Sequence, residues 1–449
     1  MIHLSPEVFS LLMFGTLMLS IALGHNLAIT LAGVATIFGL LDNGFNVPGL
    51  LDLFLNNCWG LFQNYVLVAV PLFIFMAHVL DRSKVSDELF EALYIVLGGL
   101  RGGLGLAVVI VSTVFAATTG IIGASVVAMG LLAAPALMRK GYQKDLASGI
   151  ICASGTLGIL IPPSIMLVVY GGLTGMKETS VGNLYAGAVF PGLVLSGLYL
   201  LYVGLRCGFR PSLGPPIPVA ERTHTAGQKL KMTLKSLLPP FSLILAVMGT
   251  ILGGVATPTE AAAMGCVGAL LLAAVNRKLT WQVLRASSEA TLRTTSMIML
   301  LFIGGKVFSV VFLGAGGGDV VADMLLGLGN RYLALAVMMA IVFVLGMFID
   351  WAAILLITVP IFTPIASNLD FNPLWFAMLM NVNLQTSFLT PPFGYALFYF
   401  KGVAPPEIGI GNIYRGIMPF VVLQVIGLIL MILFPDIILW LPNKVFGAM

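Results

Sequence analysis

Two Pro-Pro pairs stand inside apolar segments long enough to cross a bilayer, and no other feature restricts the fold as much. The first lies in Ser154-Gly-Thr-Leu-Gly-Ile-Leu-Ile-Pro-Pro-Ser164. The second lies in Asn383-Leu-Gln-Thr-Ser-Phe-Leu-Thr-Pro-Pro-Phe393. Proline removes a backbone donor and breaks a helix. In lipid, freed backbone groups persist only where protein or a water-filled cavity receives them. A helix broken at membrane depth is therefore a candidate ion or substrate site.

The rest of the chain agrees with a bilayer setting. Of 449 residues, 59% are hydrophobic and 9% charged, against about 25% charged in soluble domains. No soluble linker is long enough for a second domain. The net charge of +4 is small and the basic residues lie beside apolar spans, which indicates membrane topology rather than nucleic acid. Cys58, Cys152, Cys207 and Cys266 are too scattered for a metal motif or a disulfide framework. The N-terminus lacks a basic n-region and a small-residue cleavage site, so the first apolar segment reads as a retained span.

Spans of about 20 apolar residues are expected near 8–24, 27–42, 62–80, 146–173, 183–205, 236–254, 258–276, 291–313, 374–400 and 411–440. Two further stretches, 104–138 and 332–368, are too long for one helix and carry polar or Gly residues at their middle. They read as re-entrant hairpins, with two short spans each as the alternative. The fold class is an all-α polytopic membrane protein.

The chain repeats itself. Pro163 and Pro392 are 229 residues apart, as are Pro135 and Pro364. The same offset superposes the two hairpin middles and places Gly24 on Gly253. Residues 1–205 form a first repeat and 236–449 a second, joined by a basic loop at 206–235. With that loop in the cytoplasm, all but four of the 22 Lys and Arg fall on its side. Lys177, Arg331 and Lys444 lie opposite, and Lys306 lies within a span. This obeys the positive-inside rule. It also puts the ends of the two hairpins on opposite sides, so the repeats are inverted, as in many secondary transporters. A short amphipathic segment precedes each hairpin: one starts at Ser86-Asp-Glu88 as an N-cap with first-turn acids, the other runs from Asp319 to Leu328. These read as arm helices in the interface plane or as ordinary connectors.

Asp350 is the sharpest single signal. The other acids fall in loops or at span ends; a carboxylate at depth needs a partner and marks function by default. No Lys or Arg lies near it in sequence. Sodium ligation, protonation in a proton-coupled carrier, and capping of the inner half-helix are the three roles open to it. Oxygen donors cluster around each break: Thr118, Thr119, Ser125, Ser154, Thr156 and Ser164 in the first half, and Asn383, Gln385, Thr386, Ser387 and Thr390 in the second. Each is weak alone, because such residues also bond between helices. Thr257-Pro-Thr-Glu260 is a capping box, which makes Glu260 structural. His25 and His78 read as packed. There is no nucleophile elbow, phosphate loop or metalloprotease motif, and the Gly-rich runs lack the strand context of nucleotide loops.

Together the motifs resemble those of the large membrane (DctM-like) subunit of tripartite ATP-independent periplasmic (TRAP) transporters. The resemblance rests on Val70-Pro-Leu-Phe-Ile-Phe75, Thr119-Gly-Ile-Ile-Gly-Ala-Ser125, Gly158-Ile-Leu-Ile-Pro-Pro-Ser-Ile165, Thr257-Pro-Thr-Glu-Ala-Ala-Ala263, Leu389-Thr-Pro-Pro-Phe-Gly394 and Gly402-Val-Ala-Pro-Pro-Glu407 with Ile413-Tyr-Arg-Gly416. It implies a sodium-driven, elevator-type importer of small organic acids in the inner membrane, with two sodium ions and no organic cofactor. It also implies two partners, a small membrane subunit, expected here as a separate chain, and a periplasmic substrate-binding protein. Carried over, the ion sites point to Thr119, Gly123 and Ser164 in the first half and to Gly346, Asp350 and Thr390 in the second. The substrate would meet Thr118, Ser125, Ser154, Thr156, Asn383, Gln385 and Thr386. Many relatives have Ser-Gly-Ser at the first hairpin tip; here Gly120 is followed by Ile121, which supplies no oxygen. A stand-alone carboxylate carrier and a membrane-embedded enzyme using Asp350 are the competing readings.

Overall fold

A computed structural model describes residues 5–42, 44–83, 85–218, 222 and 224–447, without the side chains of 85, 86, 118, 119 and 226. In chain order the helices are α1 (Pro6–Ala22), α2 (Leu27–Asp42), α3 (Val47–Phe62), α4 (Ala69–Arg82, after a 3-10 turn at Tyr65–Val68), α5 (Val85–Leu97), α6 (Gly103–Thr119), α7 (Ile122–Arg139), α8 (Lys144–Thr156), α9 (Ile165–Thr174) and α10 (Val181–Phe209). The second half continues with α11 (Ala226–Leu252), α12 (Pro258–Val275), α13 (Trp281–Gly314), α14 (Gly317–Leu326), α15 (Arg331–Phe348), α16 (Trp351–Asn368), α17 (Pro373–Ser387), α18 (Tyr395–Val403), α19 (Ile410–Leu433) and α20 (Asp436–Phe446). Among the described residues nine helical segments are long and apolar enough to cross a membrane.

Each of the two long apolar stretches is a helical hairpin, as both the re-entrant and the two-span readings require; α7, α15 and α16 are each long and apolar enough to cross a membrane. Between α6 and α7 stand only Gly120 and Ile121, and between α15 and α16 only Ile349 and Asp350. The two tips turn differently. Gly120 adopts φ +61° and closes α6 through its N–H to Ala116 O (3.2 Å), a left-handed cap that favours glycine. Ile349 is extended, and Asp350 caps α16 instead, accepting from Ala352 N at 3.0 Å.

The 229-residue offset holds at the level of backbone geometry. Shifted by it, α7 at 122–139 falls on 351–368, the bounds of α16. The shift also carries α6, α8 and α9 onto α15, α17 and α18 within two residues at each end. Both Pro-Pro bonds are cis, and Gly141 and Asp370, again equivalent, both have positive φ. The packing is reciprocal: α4 packs on α12 and α13 on α2, α7 on α18 and α16 on α9, α8 on α19 and α17 on α10. Such exchange of partners is what an approximate twofold axis produces.

Packing also sorts the helices into two groups. One comprises α1–α4 with α11–α13; the other holds the hairpins, the broken helices α8/α9 and α17/α18, and α10 and α19. Helices α5 and α14 touch both groups, at the places expected of arm helices. Close crossings use small residues, as lipid-embedded helices do. At Gly149 the backbone of α8 meets Gly416 of α19, and at Gly304 α13 meets the Ala28 carbonyl.

Several sequence expectations need adjustment. Helix α3 was not anticipated, and α20 separates from the span read as 411–440. The α13 helix starts ten residues before the expected 291. Helix α5 begins at Val85, so Ser86 lies inside it, and α14 ends at Leu326 rather than Leu328. The basic loop is shorter than 206–235, since α11 starts at Ala226 and carries Lys229, Lys231 and Lys235. The left-handed partner of Gly24 is Gly254, not Gly253; the offset is already 230 where α1 and α11 end. The box at Thr257 and Glu260 is present, with both backbone bonds made.

Candidate ion and substrate site

Each hairpin tip rests on the break of its own half. A Cβ on Gly120 would lie 3.2 Å from Ile165 Cγ1 and 3.4 Å from the Pro163 carbonyl. In the second half, Tyr395 at the start of α18 donates its hydroxyl to Phe348 O at 3.3 Å. Ser164, the N-cap of α9, donates its hydroxyl to Ile159 O across the first break, and its own carbonyl accepts from Tyr185 OH at 3.3 Å. Thr390 donates to Thr386 O at 2.8 Å across the start of the second break.

The two tips converge. A cavity of about 40 Å³ is lined by Ile121, Ile122 and Gly123 from the first tip and by Asp350 and Trp351 from the second. Phe388, Tyr395 and Tyr399 close it from the second broken helix, and Thr294, Met297 and Ile298 of α13 form the far wall. Gly123 and Asp350, assigned from sequence to different ion sites, thus face one space. A Cβ on Gly123 would stand 3.1 Å from the Tyr399 ring. Gly346 lies one turn below Asp350, where a Cβ would collide with Ser387 Oγ. Asp350 is half-buried, and no cationic side chain lines the cavity among the described residues.

The other polar residues singled out from sequence lie behind the breaks. Ser154 donates to Ile150 O (2.6 Å) and meets Ser112 Oγ at 3.0 Å, joining α8 to α6. Its equivalent Asn383 donates to Met339 O at 2.7 Å and joins α17 to α15. Thr386 donates to Val382 O at 3.1 Å. Thr156 Oγ1 donates to Ala153 O (2.8 Å) and accepts from Gln385 Nε2 (3.2 Å) and Gln424 Nε2 (3.4 Å). That uses the hydroxyl's one hydrogen and both lone pairs. Ser125 is fully buried on α7. Thr118 and Thr119 end α6, and their side chains lie outside the described residues.

Sequence reasoning missed Trp351, Tyr395, Tyr399 and Thr294 of the cavity wall. In an apolar helix an aromatic residue facing a cavity reads like one facing lipid. The spacing of Tyr395 and Tyr399, one helical turn apart just past a break, was the available signal.

Two hairpins whose tips meet beside paired helix breaks, among helices long and apolar enough to cross a membrane, define the class as an all-α polytopic membrane protein. The solved structures agree at the level of fold: the Alcanivorax borkumensis YdaH transporter matches with a TM-score of 0.60 over 97% of this chain and 99% of its own, at 15% identity. Neisseria gonorrhoeae MtrF matches with 0.60 over 100% and 96%, at 13% identity.

The chain belongs to the DctM family: residues 13–437 match the tripartite ATP-independent periplasmic transporter, DctM component. Among its relatives, the C4-dicarboxylate TRAP transporter large permease protein DctM of Pseudomonas aeruginosa is 33% identical over 390 residues, 85% of this chain and 87% of that one. The sialic acid TRAP transporter large permease protein SiaM of Vibrio cholerae is 30% identical over 436 residues, 97% and 98% of the two chains. It is a multi-pass inner-membrane permease, which removes the membrane-enzyme reading.

Proposed function

We propose that this chain is the large permease of a sodium-coupled importer of small organic acids, working by an elevator movement. In this reading it takes substrate from a periplasmic binding protein and acts with a small membrane subunit. Family membership supports the transport of organic acids, since the relatives named above are permeases for C4-dicarboxylates and sialic acid. The observation that carries sodium coupling is Asp350: a carboxylate at a hairpin tip, half-buried, in a cavity without a cationic side chain among the described residues. Such a charge calls for a cation from outside the protein. Among the described residues no three or more His, Cys, Asp or Glu come together where they could hold a metal ion. A hard monovalent ion held by one carboxylate, hydroxyls and backbone carbonyls suits these donors better than a transition metal does.

The repeats 1–205 and 236–449 are inverted in this reading, and two ions bind. One sits by Thr119, Gly123 and Ser164, the other by Gly346, Asp350 and Thr390. The acid itself sits between the tips, and Ser154, Thr156, Asn383, Gln385 and Thr386 hold the breaks in register behind it. The group with the hairpins moves against α1–α4 and α11–α13, with α5 and α14 as its arms.

The test is uptake by proteoliposomes containing this chain and its small subunit, with a substrate-loaded binding protein outside. Uptake should require both an inward sodium gradient and the binding protein. Uptake that persists without the binding protein would instead make the chain a stand-alone carrier. Uptake driven equally by a proton gradient in sodium-free buffer would remove sodium coupling.

A further inference from the structure

The second hairpin is fastened to α13 through a carbonyl that its own helix leaves free. Pro360 lies inside α16 and has no N–H, so the Leu356 carbonyl, four residues earlier, loses its regular intrahelical donor. Ser309 of α13 donates its hydroxyl to that carbonyl at 3.0 Å. The helices approach closely because residue 305, one turn before Ser309, is glycine; a Cβ there would stand 2.9 Å from Leu356 Cβ. Ser309 is 4% exposed and Leu356 1%, so water does not compete for the bond.

A hydroxyl in a helix commonly returns to its own backbone one turn back, as Thr358 does to Ile354 O at 2.7 Å. Ser309 reaches across to another helix instead. The first half has neither part of the arrangement. Leu131, with its N–H, stands where the 229-residue offset places Pro360, and α4 contains no Ser or Thr. A similar contact crosses between the packing groups at Asn64. It donates at 2.7 Å to the Gly172 carbonyl in the last turn of α9, which lies beyond the reach of its own helix.

We propose that Ser309 is the catch by which α13 holds the hairpin group in this pose, a positioning residue for the transport step. This rests on the elevator reading, in which the hairpin group slides past α13. Sliding breaks the bond, and an unpaired carbonyl inside the membrane is costly. α13 offers no nearby replacement. From Val310 to Gly314 it has no hydroxyl. In the other direction the next hydroxyl on the same face is that of Thr295, 14 residues away and about 21 Å along the helix. Ser296 is exposed on another face. Lys306 lies near Cys58 of α3 and makes no hydrogen bond to Leu356. The bond therefore stabilises this pose and not the passage out of it, so it slows departure.

The test compares four permeases, each with its small subunit: the unaltered chain, Ser309→Ala, Pro360→Ala and the double variant. Unfolding midpoints are measured in detergent. Sodium-driven uptake from a loaded binding protein is measured in proteoliposomes, per folded permease. Alanine at 360 returns an N–H to the Leu356 carbonyl. Ser309→Ala alone should lower the midpoint and raise the maximal uptake rate at least about threefold. In the Pro360→Ala background the same change should do neither. Additive effects on the midpoints would overturn the account of the free carbonyl. An unchanged uptake rate in Ser309→Ala would reduce Ser309 to a packing contact and overturn the catch. A separate pair, Val66→Cys with Gly172→Cys, tests the movement itself. A Cβ on Gly172 would lie 3.7 Å from Val66 Cγ1, so an oxidant should join the two groups, stop uptake, and be reversed by reductant. Uptake that continues through this disulfide would strike at the elevator reading, while the four midpoints still decide whether Ser309 serves the carbonyl that Pro360 frees.

Discussion

Thr156 and Gln385 are 229 residues apart, occupy equivalent positions in the two halves, and are hydrogen-bonded to each other over 3.2 Å. The two halves therefore meet each other at matching positions of the 229-residue offset. The pair lies one turn before each break, with the Tyr199 ring and Gln424 buried around it. The bond ties the ends of α8 and α17 together across the halves.

The pair predicts an unequal response to two substitutions. Thr156→Val keeps the shape but strips the acceptor from two buried glutamine amides. Gln385→Leu removes one of those donors together with a carbonyl oxygen, Gln385 Oε1, that has no partner. An unsatisfied buried group costs about 1–3 kcal/mol. Thr156→Val should therefore be the more destabilising, and adding Gln385→Leu to it should cost less than the sum of the single changes. Thermal unfolding of the four proteins in a double-mutant cycle measures this; strict additivity would mean the contact contributes nothing.

Asp350 combines two roles that one substitution separates. Asparagine is as good an N-cap as aspartate but carries no charge. Asp350→Asn should unfold within a few degrees of the unaltered protein. Its half-saturating sodium concentration for uptake should rise at least about tenfold, equivalent to ~1.4 kcal/mol of ion binding. Asp350→Ala should lose stability as well, by about 1 kcal/mol. An Asn variant with unaltered sodium dependence would leave Asp350 as a cap alone.

Gly346 and Gly123 should fail for different reasons. At Gly346 an added methyl falls on Ser387 Oγ, and overpacking of this kind costs about 1–3 kcal/mol. Gly346→Ala should lower the unfolding midpoint, and Ser387→Gly should recover part of the loss. At Gly123 the methyl meets the Tyr399 ring at 3.1 Å, so the ring is pushed within the cavity. Gly123→Ala should keep most of the stability while uptake falls, and Tyr399→Leu should restore room. Unfolding midpoints and uptake rates measured in parallel distinguish the two cases.

The box at Thr257 gives a smaller effect. Thr257 Oγ1 accepts from Glu260 N, and Glu260 Oε2 accepts from Thr257 N at 2.8 Å. Thr257→Ala should cost about 1 kcal/mol, seen as a lower midpoint with sodium dependence unchanged.

Much of this was legible before any coordinates. Proline and glycine act through the backbone, so the breaks and hairpin tips were located within a residue or two. One constant offset located the matching helices of the two halves. Side-chain direction was not legible. Ser154 and Asn383 look like ligands in sequence because they are polar and near a break, yet each fastens its half-helix to a hairpin helix. Helix α3 escaped notice because Asp52, Asn56 and Asn57 interrupt its apolar run. Helix α20 was merged with α19 because the turn at Phe434-Pro435 interrupts the helix but not its apolar character.

The halves pack by trading partners, but they are not identical. In the first, α3 and α4 are separated by a bend at Asn64; in the second, the corresponding stretch is the continuous α13, 34 residues long and about 50 Å from end to end. Asn64 holds that bend by donating to the Gly172 carbonyl of α9 at 2.7 Å. The first half is thus pinned to its own broken helix at a corner, where the second half runs straight through.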